Sequence, residues 1–512
     1  MFCKSNQLKY RGVSLLLVLM LAFSALASNV KIKPRKGMNL VGCVTVDGKP
    51  RAGVTVSDGV NVVVTDKKGV YQMTSTGRQH VFVSVPADCS MPMSDGMPAF
   101  YQTISLPEGA KAARHDFDLQ SSPVKDKWTL FTVADPQVGT PDTLDYSGIL
   151  MPQMRKFVST LSRENTIGIA LGDLVWNSPQ LYPLYVEETK SLGIPMLSVI
   201  GNHDHNENVK NDTESDADFR NALGPTYYSV NVGQCHIVAL DDILYRGVKS
   251  RNDYSGRITP QQFEWLKKDL ALVDTAKTII VGLHIPVKRR IHPNAKLLNA
   301  DSLIDILRPF HRVEILSGHT HYHFTTTIAP NITETTFASA MGALWNPLCA
   351  DGTSRGFAVL QFDGTELVNK YFVPAATLDP TYQMKLYAPA DAVLWDLDKN
   401  PGDAYDKILI NVFAWHTDWT IETREDNGEW TLLPDSARIQ PAAKGLQCID
   451  PTVRKNLVNG RLPSRHGRGA TPVTLNDHLF LYKPSPEWKS VSVRATDPYG
   501  NVYVETLTNP EK

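Results

Sequence analysis

The chain has 512 residues, of which 42% are hydrophobic and 21% are charged, and its formal net charge is -1. These values are typical of a folded, soluble protein of two or three domains, and they exclude a disordered chain and a multi-span membrane protein. A near-neutral chain creates no global field for nucleic acid or anionic membranes. We therefore expect no nucleic-acid partner and no stable membrane insertion, and the oligomeric state stays open.

The first residues have the pattern of a secretory signal peptide. Three basic residues precede an apolar run over 13–23, and the small-residue segment Ala25-Leu26-Ala27 follows it. An uncleaved anchor is the alternative, and it is disfavoured because the run is shorter than the roughly 20 residues that span a bilayer. We predict a signal peptide over residues 1–27 and a secreted or periplasmic protein.

Five cysteines remain after the predicted signal peptide, at wide spacing and without a CxxC pair. They are Cys43, Cys89, Cys235, Cys349 and Cys448. We interpret them as buried small hydrophobic side chains, or as one disulfide between Cys43 and Cys89, rather than as metal ligands.

Residues 28–122 have the pattern of a small β domain. Alternating runs such as LVGCVTV, VYQMT and HVFVSVP are separated by turn pairs such as Asp47-Gly48 and Lys68-Gly69. Alternation with a period of two indicates half-buried strands, and glycine in the turns supplies the backbone conformations that hairpins need. We therefore predict an N-terminal Ig-like β-sandwich.

Residues 123–375 alternate apolar strands with helical segments. The runs WTLFTVA, IGIAL, MLSVI, CHIVAL, TIIVGL and VEIL are short, and helical patterns lie near 144–161 and 181–192. A later helix is predicted to begin at Thr259-Pro260, with Gln262 at the capping-box position. This alternation indicates a layered α/β domain.

Two further segments differ from that rhythm. Residues 205–226 are polar and acidic, and a long insertion of this kind is more often functional, or a lid, than inert. Residues 376–512 return to a β pattern, with runs such as KILINVF, WTIETRE and SVSVRATD. They predict a C-terminal β-sandwich domain.

Five short polar blocks end apolar runs of the central domain. They are Asp135-Pro136-Gln137, Gly172-Asp173, Gly201-Asn202-His203-Asp204-His205, His284, and Gly318-His319-Thr320-His321. When several strands of an α/β sheet are each followed by a polar residue, those residues lie together, because the carboxyl ends of the strands meet at one edge of the sheet. Carboxylate, amide and imidazole groups delivered there predict a metal site, for two metals.

The order of these blocks resembles the calcineurin-like metallophosphoesterases, whose pattern is D-x-H, GD, GNH[DE], H and GHxH. The resemblance covers roughly residues 128–373, and the flanking sandwiches resemble the N-terminal and C-terminal domains of one bacterial subset. It implies a layered β-sandwich core with flanking helices. It also implies a dinuclear, metal-dependent phosphoesterase that hydrolyses a phosphomonoester or phosphodiester through a hydroxide bridging the metals.

The resemblance also assigns roles to individual residues. The implied ligands are Asp135, Gln137, Asp173 and His321 for one metal, and Asp173, Asn202, His284 and His319 for the other. A shared carboxylate neutralises two cations and sets them roughly 3.5 to 4 Å apart. His203 would face the leaving-group oxygen, with Asp204 fixing its tautomer.

One residue departs from the family pattern, because Gln137 stands where the first block usually ends in His. An amide oxygen is a harder donor than imidazole. Nitrogen-preferring ions should therefore bind less well at the metal site that Gln137 would share with Asp135, Asp173 and His321. We therefore expect two divalent ions among Mn, Mg, Fe and Zn, with Mn or Mg gaining on Fe and Zn.

Several neighbours of the blocks are candidate substrate contacts. They are Arg289, Arg290, His323, Trp176 and Asn177. The arginines follow His284, and a loop there would bring guanidinium groups to an anionic substrate. The alternatives are a solvated basic face for the arginines, a second-shell or bystander role for His323, and core packing for Trp176 and Trp345. For Asp241 and Asp242 structural capping is the favoured role.

A different class of function also fits the sequence. The two sandwiches could belong to a non-catalytic glycan- or surface-binding protein built on a degraded phosphoesterase core. The intact third and fifth blocks disfavour this alternative, because a binding module has no use for both His203 and a full ligand set. The substrate of the enzyme stays open, although secretion disfavours intracellular signalling substrates.

Overall fold

The computed structural model describes residues 30–75, 79–247, 253–289, 296–389, 406–439, 450, 452–453, 461–463, 470–472 and 477–510. The predicted signal peptide, Arg290 and Cys448 lie outside these residues.

The N-terminal part is rich in short strands. These are β1 Leu40–Val46, β2 Lys49–Pro50, β3 Thr55–Ser57, β4 Val62–Val64, β5 Val70–Met73, β6 His80–Val83, β7 Met93–Ser94, β8 Met97–Pro98, β9 Tyr101–Thr103, β10 Ala113–Arg114 and β11 Phe117–Leu119. One sheet has the order β10-β1-β11, with β2 and β5 also paired to β1, and another has the order β4-β3-β6-β9. Because β1 is parallel to both β10 and β11, whereas immunoglobulin sheets are antiparallel, the Ig-like assignment stays a prediction.

Two large sheets form the central part. Their strands and the adjacent hairpin are β12 Lys127–Val133, β13 Thr166–Leu171, β14 Met196–Val199, β15 Tyr228–Val232, β16 Cys235–Ala239, β17 Ile243–Tyr245, β18 Tyr254–Gly256, β19 Thr278–Gly282, β20 Arg312–Ser317, β21 Phe324–Ala329, β22 Ile332–Thr336, β23 Gly356–Asp363 and β24 Glu366–Pro374. The sheet orders are β14-β13-β12-β23-β24 and β15-β16-β19-β20-β22-β21. Strands β12, β13 and β14 are parallel to one another, as are β16, β19, β20 and β22.

Strand residues alternate between two apolar layers, as the period of two requires. Leu130 and Ile169 belong to the layer that also holds Ile237 and Ile280 of the other sheet. Phe131, the next residue of β12, belongs to the layer of helical side chains. Every residue of β13 is buried, so both faces of this strand lie in the core. This explains the almost entirely apolar sequence TIGIAL.

Helices cover the outer faces of this core. The α-helices are α1 Thr143–Asp145, α2 Met151–Val158, α3 Tyr182–Lys190, α4 Asp212–Ser215, α5 Ala217–Leu223, α6 Pro260–Leu270 and α7 Ala300–Leu307. Short 3-10 turns are Thr140–Asp142, Arg163–Asn165, Pro179–Leu181, Asn202–Asp204 and Asp435–Ala437, and a π turn spans Tyr146–Leu150. Among the described helices, none combines the length and apolar character needed to cross a membrane.

The predicted cap of α6 is present in part. Thr259 Oγ1 accepts a hydrogen bond from the Gln262 backbone N–H at 3.3 Å. The Gln262 side chain instead bonds the backbone of Asp241, accepting from its N–H at 2.9 Å and donating to its carbonyl at 2.8 Å. The tertiary contact satisfies both ends of the Gln262 amide, so the full capping box does not form.

The acidic insertion over 205–226 folds onto the central part through α4 and α5. Phe219 is fully buried and meets Tyr182 edge to face at 6.3 Å. His205 Nδ1 lies 2.8 Å from the Ser215 hydroxyl. The segment is thus anchored by its own contacts, and a lid function stays a prediction.

The C-terminal part is again made of strands. These are β25 Met384–Tyr387, β26 Ile408–Val412, β27 Thr420–Glu425, β28 Thr431–Leu432, β29 Arg461–Pro463, β30 Ala470–Pro472, β31 Leu479–Tyr482, β32 Ser490–Thr496 and β33 Val502–Thr508. The main sheets have the orders β25-β26-β31 and β28-β27-β32-β33, and they share one apolar core. The predicted fold class, an α/β core between strand-rich domains, is therefore confirmed.

The four described cysteines Cys43, Cys89, Cys235 and Cys349 are buried and unbridged. Cys43 and Cys89 do not form the disulfide that was one of the two interpretations. Burial raises the pKa of Cys235 to about 12, so this thiol stays neutral. These side chains act as small apolar groups.

Candidate metal centre

The five polar blocks meet at one edge of the core. Asp135, Asp173 and Asn202 follow β12, β13 and β14 of one sheet, and His284 and the GHTH segment follow β19 and β20 of the other. These five strands run parallel within their sheets, so their carboxyl ends open toward a common cleft.

The metal-ligating atoms form two groups with one shared member. Asp173, His284 and His319 offer atoms that lie within 4.8 Å of one another, and so do Asp135, Asp173 and His321. A carboxylate common to both groups is what two neighbouring cations require. The donor set therefore fits two divalent ions.

His284 is oriented by the backbone of β13 in the other sheet. Its Nδ1 donates to the Leu171 carbonyl at 2.8 Å, which leaves Nε2 to face the cleft. Nε2 lies 3.2 Å from Asn202 Oδ1, 3.2 Å from His319 Nδ1 and 3.3 Å from Asp173 Oδ1. His284 Nε2 thus has three further metal-ligating atoms within 3.3 Å, close enough for the four to share one cation.

The charges of the cluster favour a cation. Burial alone would raise the pKa of Asp173, but His284 and His203 lower it far below its usual value. Burial likewise opposes protonation of His284, yet Asp173 and then Asp135 raise its pKa to about 10. Burial holds the pKa of His319 well below its usual value. Asp173 and Asp135 together thus attract one positive charge to the cluster. A bound metal ion would supply that charge, and its binding would release a proton.

Gln137 contacts the shared carboxylate directly. Its Nε2 donates to Asp173 Oδ2 at 2.7 Å, while its Oε1 is buried without a hydrogen-bond partner. A buried carbonyl oxygen without a partner is costly, and a cation would satisfy it. The predicted ligand role of Gln137 is compatible with this geometry, although the amide nitrogen is the atom that meets Asp173.

Strained backbone is concentrated around the cleft. Of the twelve described non-glycine residues with positive φ, six lie in the ligand-bearing loops, namely Asp135, Gln137, Asp173, Asn177, His319 and His321, and two more, Leu344 and Trp345, lie between β22 and β23. Such conformations cost about 1–3 kcal/mol each and persist only where the surroundings impose them. The fold therefore holds the ligand loops in place before any ion binds.

Two glycines of the motifs allow close approach of ligand side chains. A Cβ at Gly201 would lie 2.2 Å from the Asp173 backbone nitrogen and 2.4 Å from its Oδ1, and one at Gly318 would lie 2.6 Å from Asp135 Oδ2. These distances are shorter than any real contact, so both positions require glycine because of the aspartates beside them.

His203 is held by Asn177 and not by Asp204. His203 Nδ1 lies 2.9 Å from Asn177 Oδ1, and the Asn177 backbone N–H donates to the His203 carbonyl at 3.0 Å. The backbone N–H of His203 donates to Asp173 Oδ1 at 2.8 Å. The loop after β13 thus places both the shared ligand and the partner of the His203 ring.

The predicted role of Asp204 is therefore wrong. Its carboxylate accepts hydrogen bonds from the backbone N–H groups of Gly201 at 2.8 Å, Leu174 at 2.9 Å and Val175 at 3.1 Å. Burial and then the charge of Asp173 raise its pKa to about 7. Asp204 ties two ligand loops together, because the 3-10 turn Asn202–Asp204 directs its side chain back into the backbone.

We expect Asn177→Ala to lower kcat by about 10- to 100-fold, the usual cost of losing a group that orients a functional histidine. Metal content should be unchanged, since Asn177 orients His203 and is not among the proposed ligands. Asn177→Asp is the matched control, because a carboxylate also accepts from Nδ1 and should keep most activity. Equal losses in the two variants would contradict the orienting role.

The candidate substrate contacts have different surroundings. The half-buried Trp176 ring lies 5.2 Å from the His203 ring, beside the cleft. Arg289 is half-buried, and its Nη2 donates to the Tyr322 hydroxyl. Trp345 is 1% exposed and its Nε1 donates to the Gln137 carbonyl at 3.4 Å, which agrees with core packing.

His323 does not face the metal centre. Its ring is buried between Phe337 and Phe372, with ring centroids at 5.7 and 5.9 Å. It lines a cavity of about 330 Å³ between the central and C-terminal parts. The prediction of His323 as a substrate contact is wrong, because the loop after His321 turns toward the C-terminal strands.

Two residues near the cleft have roles that the sequence patterns do not predict. Tyr254 is marked by no motif, and Asp242 is predicted only as a cap. Tyr254 meets the His319 ring edge to face at 6.3 Å, and it comes from the hairpin β17–β18 that no motif marks. Asp242 accepts from the backbone N–H of His284 at 3.2 Å and of Ile285 at 2.8 Å. Asp242 therefore has the capping role expected of it, and in that role it orients a proposed ligand.

Three family models match separate parts of the chain. The model of calcineurin-like phosphoesterase matches residues 150–323, and those of its N terminal and C terminal match residues 38–122 and 337–503. This protein belongs to the calcineurin-like phosphoesterases. The C-terminal model of the family begins at residue 337, so it includes β23 and β24 of the central sheet.

A relative of this phosphoesterase is known by name. A probable glycerophosphodiester phosphodiesterase, GpdQ, of Arcobacter nitrofigilis is 28% identical over 174 residues, which are 33% of this chain. The chain spans 61% of the length of that relative.

Solved structures resemble the phosphoesterase only distantly. A dimetal phosphatase from Danio rerio aligns with a TM-score of 0.36 and 14% identity, over 48% of this chain and 99% of that chain. Purple acid phosphatase PPD1 from yellow lupin aligns with a TM-score of 0.38 and 12% identity, over 64% of this chain and 68% of that chain. Both similarities are too low to inform on activity.

Proposed function

We propose that this protein is an exported phosphoesterase that uses two divalent ions to hydrolyse a phosphomonoester or phosphodiester. The observation that carries the proposal is Asp173, whose carboxylate belongs to both groups of ligand atoms. Asp135, Asp173, Asn202, His284, His319 and His321 would hold the two cations, which would supply charge neutralisation for the phosphoryl group and activation of water as the nucleophile. Phosphoryl transfer of this kind needs positioning and charge neutralisation but no covalent protein nucleophile.

The chain itself supplies the group for the leaving oxygen. Asn177 Oδ1 has only lone pairs to offer, so His203 Nδ1 carries a proton and Nε2 is the atom left for a substrate. An imidazole in this orientation can deliver a proton to the departing alkoxide. Trp176 beside the ring limits its motion and forms one wall of the cleft.

The donors support manganese, magnesium, iron or zinc. Oxygen donors from Asp135, Asp173 and Asn202 suit hard ions, and three histidines suit the nitrogen-preferring ones. Gln137 Oε1, which is buried without a hydrogen-bond partner, would add a further oxygen where the family usually has imidazole.

Gln137→His is expected to tighten metal binding at the site that residue 137 would share with Asp135, Asp173 and His321. It should also shift the metal preference toward Zn or Fe, because imidazole is the better donor for those ions. Metal content and activity of both proteins should be measured after parallel reconstitution with Mg, Mn, Fe and Zn. Identical preference profiles would show that Gln137 does not set the metal identity.

The substrate class is proposed from two features. Arg289 places a guanidinium close enough to help lower the pKa of His319, in addition to burial and His284, so a further anionic group of a substrate would be stabilised there. The name of the GpdQ relative, a probable phosphodiesterase, supports diesters as the first substrates to test.

The activity is tested with protein that begins at residue 28. Turnover of bis(p-nitrophenyl) phosphate and p-nitrophenyl phosphate should be measured together with metal analysis of the same sample. About two ions per chain and turnover that a chelator abolishes are expected. Absence of metal and of turnover would favour the non-catalytic binding protein instead.

Export is proposed from the basic residues and the apolar run over 13–23. Sequencing the amino terminus of protein recovered outside the cytoplasm should give residue 28. A mature protein that retains residue 1 and stays in the cytoplasm would contradict the proposal.

A further inference from the structure

The C-terminal part reaches the last ligand loop through one buried carboxylate. Asp351 Oδ2 accepts a hydrogen bond from the His323 backbone N–H at 3.0 Å, two residues after His321. The same oxygen lies 3.3 Å from Nε2 of His478, which precedes β31. Asp351 and His478 are 1% and 2% exposed, so solvent does not screen this contact.

Two hydrogen-bond acceptors face the ring nitrogens of His478. Its Nδ1 lies 2.7 Å from Asn411 Oδ1, and its Nε2 faces Asp351. The Asn411 amide nitrogen donates to the Asp351 carbonyl at 3.2 Å and to Asp450 Oδ2 at 2.9 Å, so its oxygen can only accept. Both ring nitrogens of His478 therefore meet acceptors, so the surrounding side chains fix the orientation of the ring.

A buried histidine–carboxylate contact of this kind is costly to break, because removing one partner leaves a buried polar atom of the other unsatisfied. Asp351 also accepts from the Thr353 backbone N–H at 3.0 Å and hydroxyl at 2.9 Å. The Asp351 carboxylate is thus held by His478, which precedes a C-terminal strand, and by Thr353 of its own loop. Its bond from the backbone N–H of His323, two residues after the GHTH segment, connects it to the last ligand loop.

We propose that His478 is a positioning residue of the metal centre, which fixes Asp351 and through it the loop that carries His319 and His321. The inference rests on the proposed function in so far as it concerns metal binding. It gives the C-terminal part a role in the reaction, since a histidine beside β31 would set the geometry of ligands that follow β20.

Two near-isosteric variants separate the bonds of the His478 ring. The amide nitrogen of His478→Gln can replace Nε2 and keep the bond to Asp351, whereas that of His478→Asn replaces Nδ1 and loses it. Hydrogen exchange of the amides over 318–323 is measured by mass spectrometry on the metal-free protein. We expect exchange about tenfold faster or more in His478→Asn, and close to wild type in His478→Gln.

His416→Asn is the matched control. His416 is a second buried histidine of the C-terminal part that contacts the central part, with its Nε2 3.3 Å from Thr327 Oγ1. This variant should exchange as wild type over 318–323. Denaturant unfolding of all three variants identifies any general loss of stability.

Metal titration adds a second measurement. His478→Asn is expected to weaken metal affinity by about 10- to 100-fold, with His478→Gln close to wild type. Wild-type exchange rates in His478→Asn, or equal acceleration in all three variants, would overturn the proposal. Wild-type protein that binds no metal would refute the proposed function, while the exchange measurement would still decide whether His478 holds the loop.

Discussion

Asp173→Ala is expected to remove both metal binding and turnover. The variant loses the only carboxylate that both ligand groups share, and two cations would then face each other without the anion between them. Metal ions contribute several kcal/mol of charge stabilisation, so kcat/KM should fall by on the order of 10³-fold or more at 1.4 kcal/mol per factor of ten. Metal analysis after reconstitution and steady-state kinetics measure the two losses.

Asp269→Ala is the matched control for this variant. Asp269 is a buried carboxylate that also pairs with a histidine, at 2.9 Å from His236 Nε2, but it lies in none of the ligand groups. Both variants should lose stability, and only Asp173→Ala should lose metal. Near-normal metal content and turnover in Asp173→Ala would refute the dinuclear centre.

His203→Ala is expected to keep both metals and to lose turnover by about 10²- to 10⁴-fold, the range of a general acid. The backbone N–H of His203 supports Asp173, and an alanine retains that hydrogen bond. The loss should shrink for leaving groups as acidic as p-nitrophenol, because these depart without a proton.

The pH dependence gives a second check on His203. Burial lowers the pKa of its ring, with Asp173 opposing the shift, so the protonated acid is populated below that lowered pKa and lost as pH rises through it. The difference between wild type and His203→Ala should therefore be largest at acidic pH. Equal losses for good and poor leaving groups, at every pH, would remove His203 from this role.

The elements and the ligand positions were readable from sequence because they depend on local patterns. LVGCVTV is β1 and TIIVG is β19, since short β-branched runs between turn residues have few other folded forms. The polar residue after each parallel strand lies at the cleft because a sheet gathers the carboxyl ends of such strands.

Partners that are distant in sequence were not readable in the same way. Asp204 is adjacent to His203 in the chain, but a 3-10 turn directs its carboxylate to backbone N–H groups, and Asn177 takes the ring instead. Gln262 bonds Asp241 rather than completing its own cap. Local spacing predicts neither outcome, because each depends on which backbone groups the tertiary packing leaves unsatisfied.

By itself the sequence determined the strand and helix order, the α/β core between two strand-rich parts and the residues delivered to the cleft. Only the tertiary structure decided that Asp173 is common to two ligand groups, that His323 turns away from the cleft, and that Asp351 joins His478 to the last ligand loop. The physical reason is the separation along the chain over which each kind of interaction acts. Strand and turn preferences act over a few residues, whereas a buried hydrogen bond is chosen by whichever donor and acceptor the packed layers bring within about 3 Å.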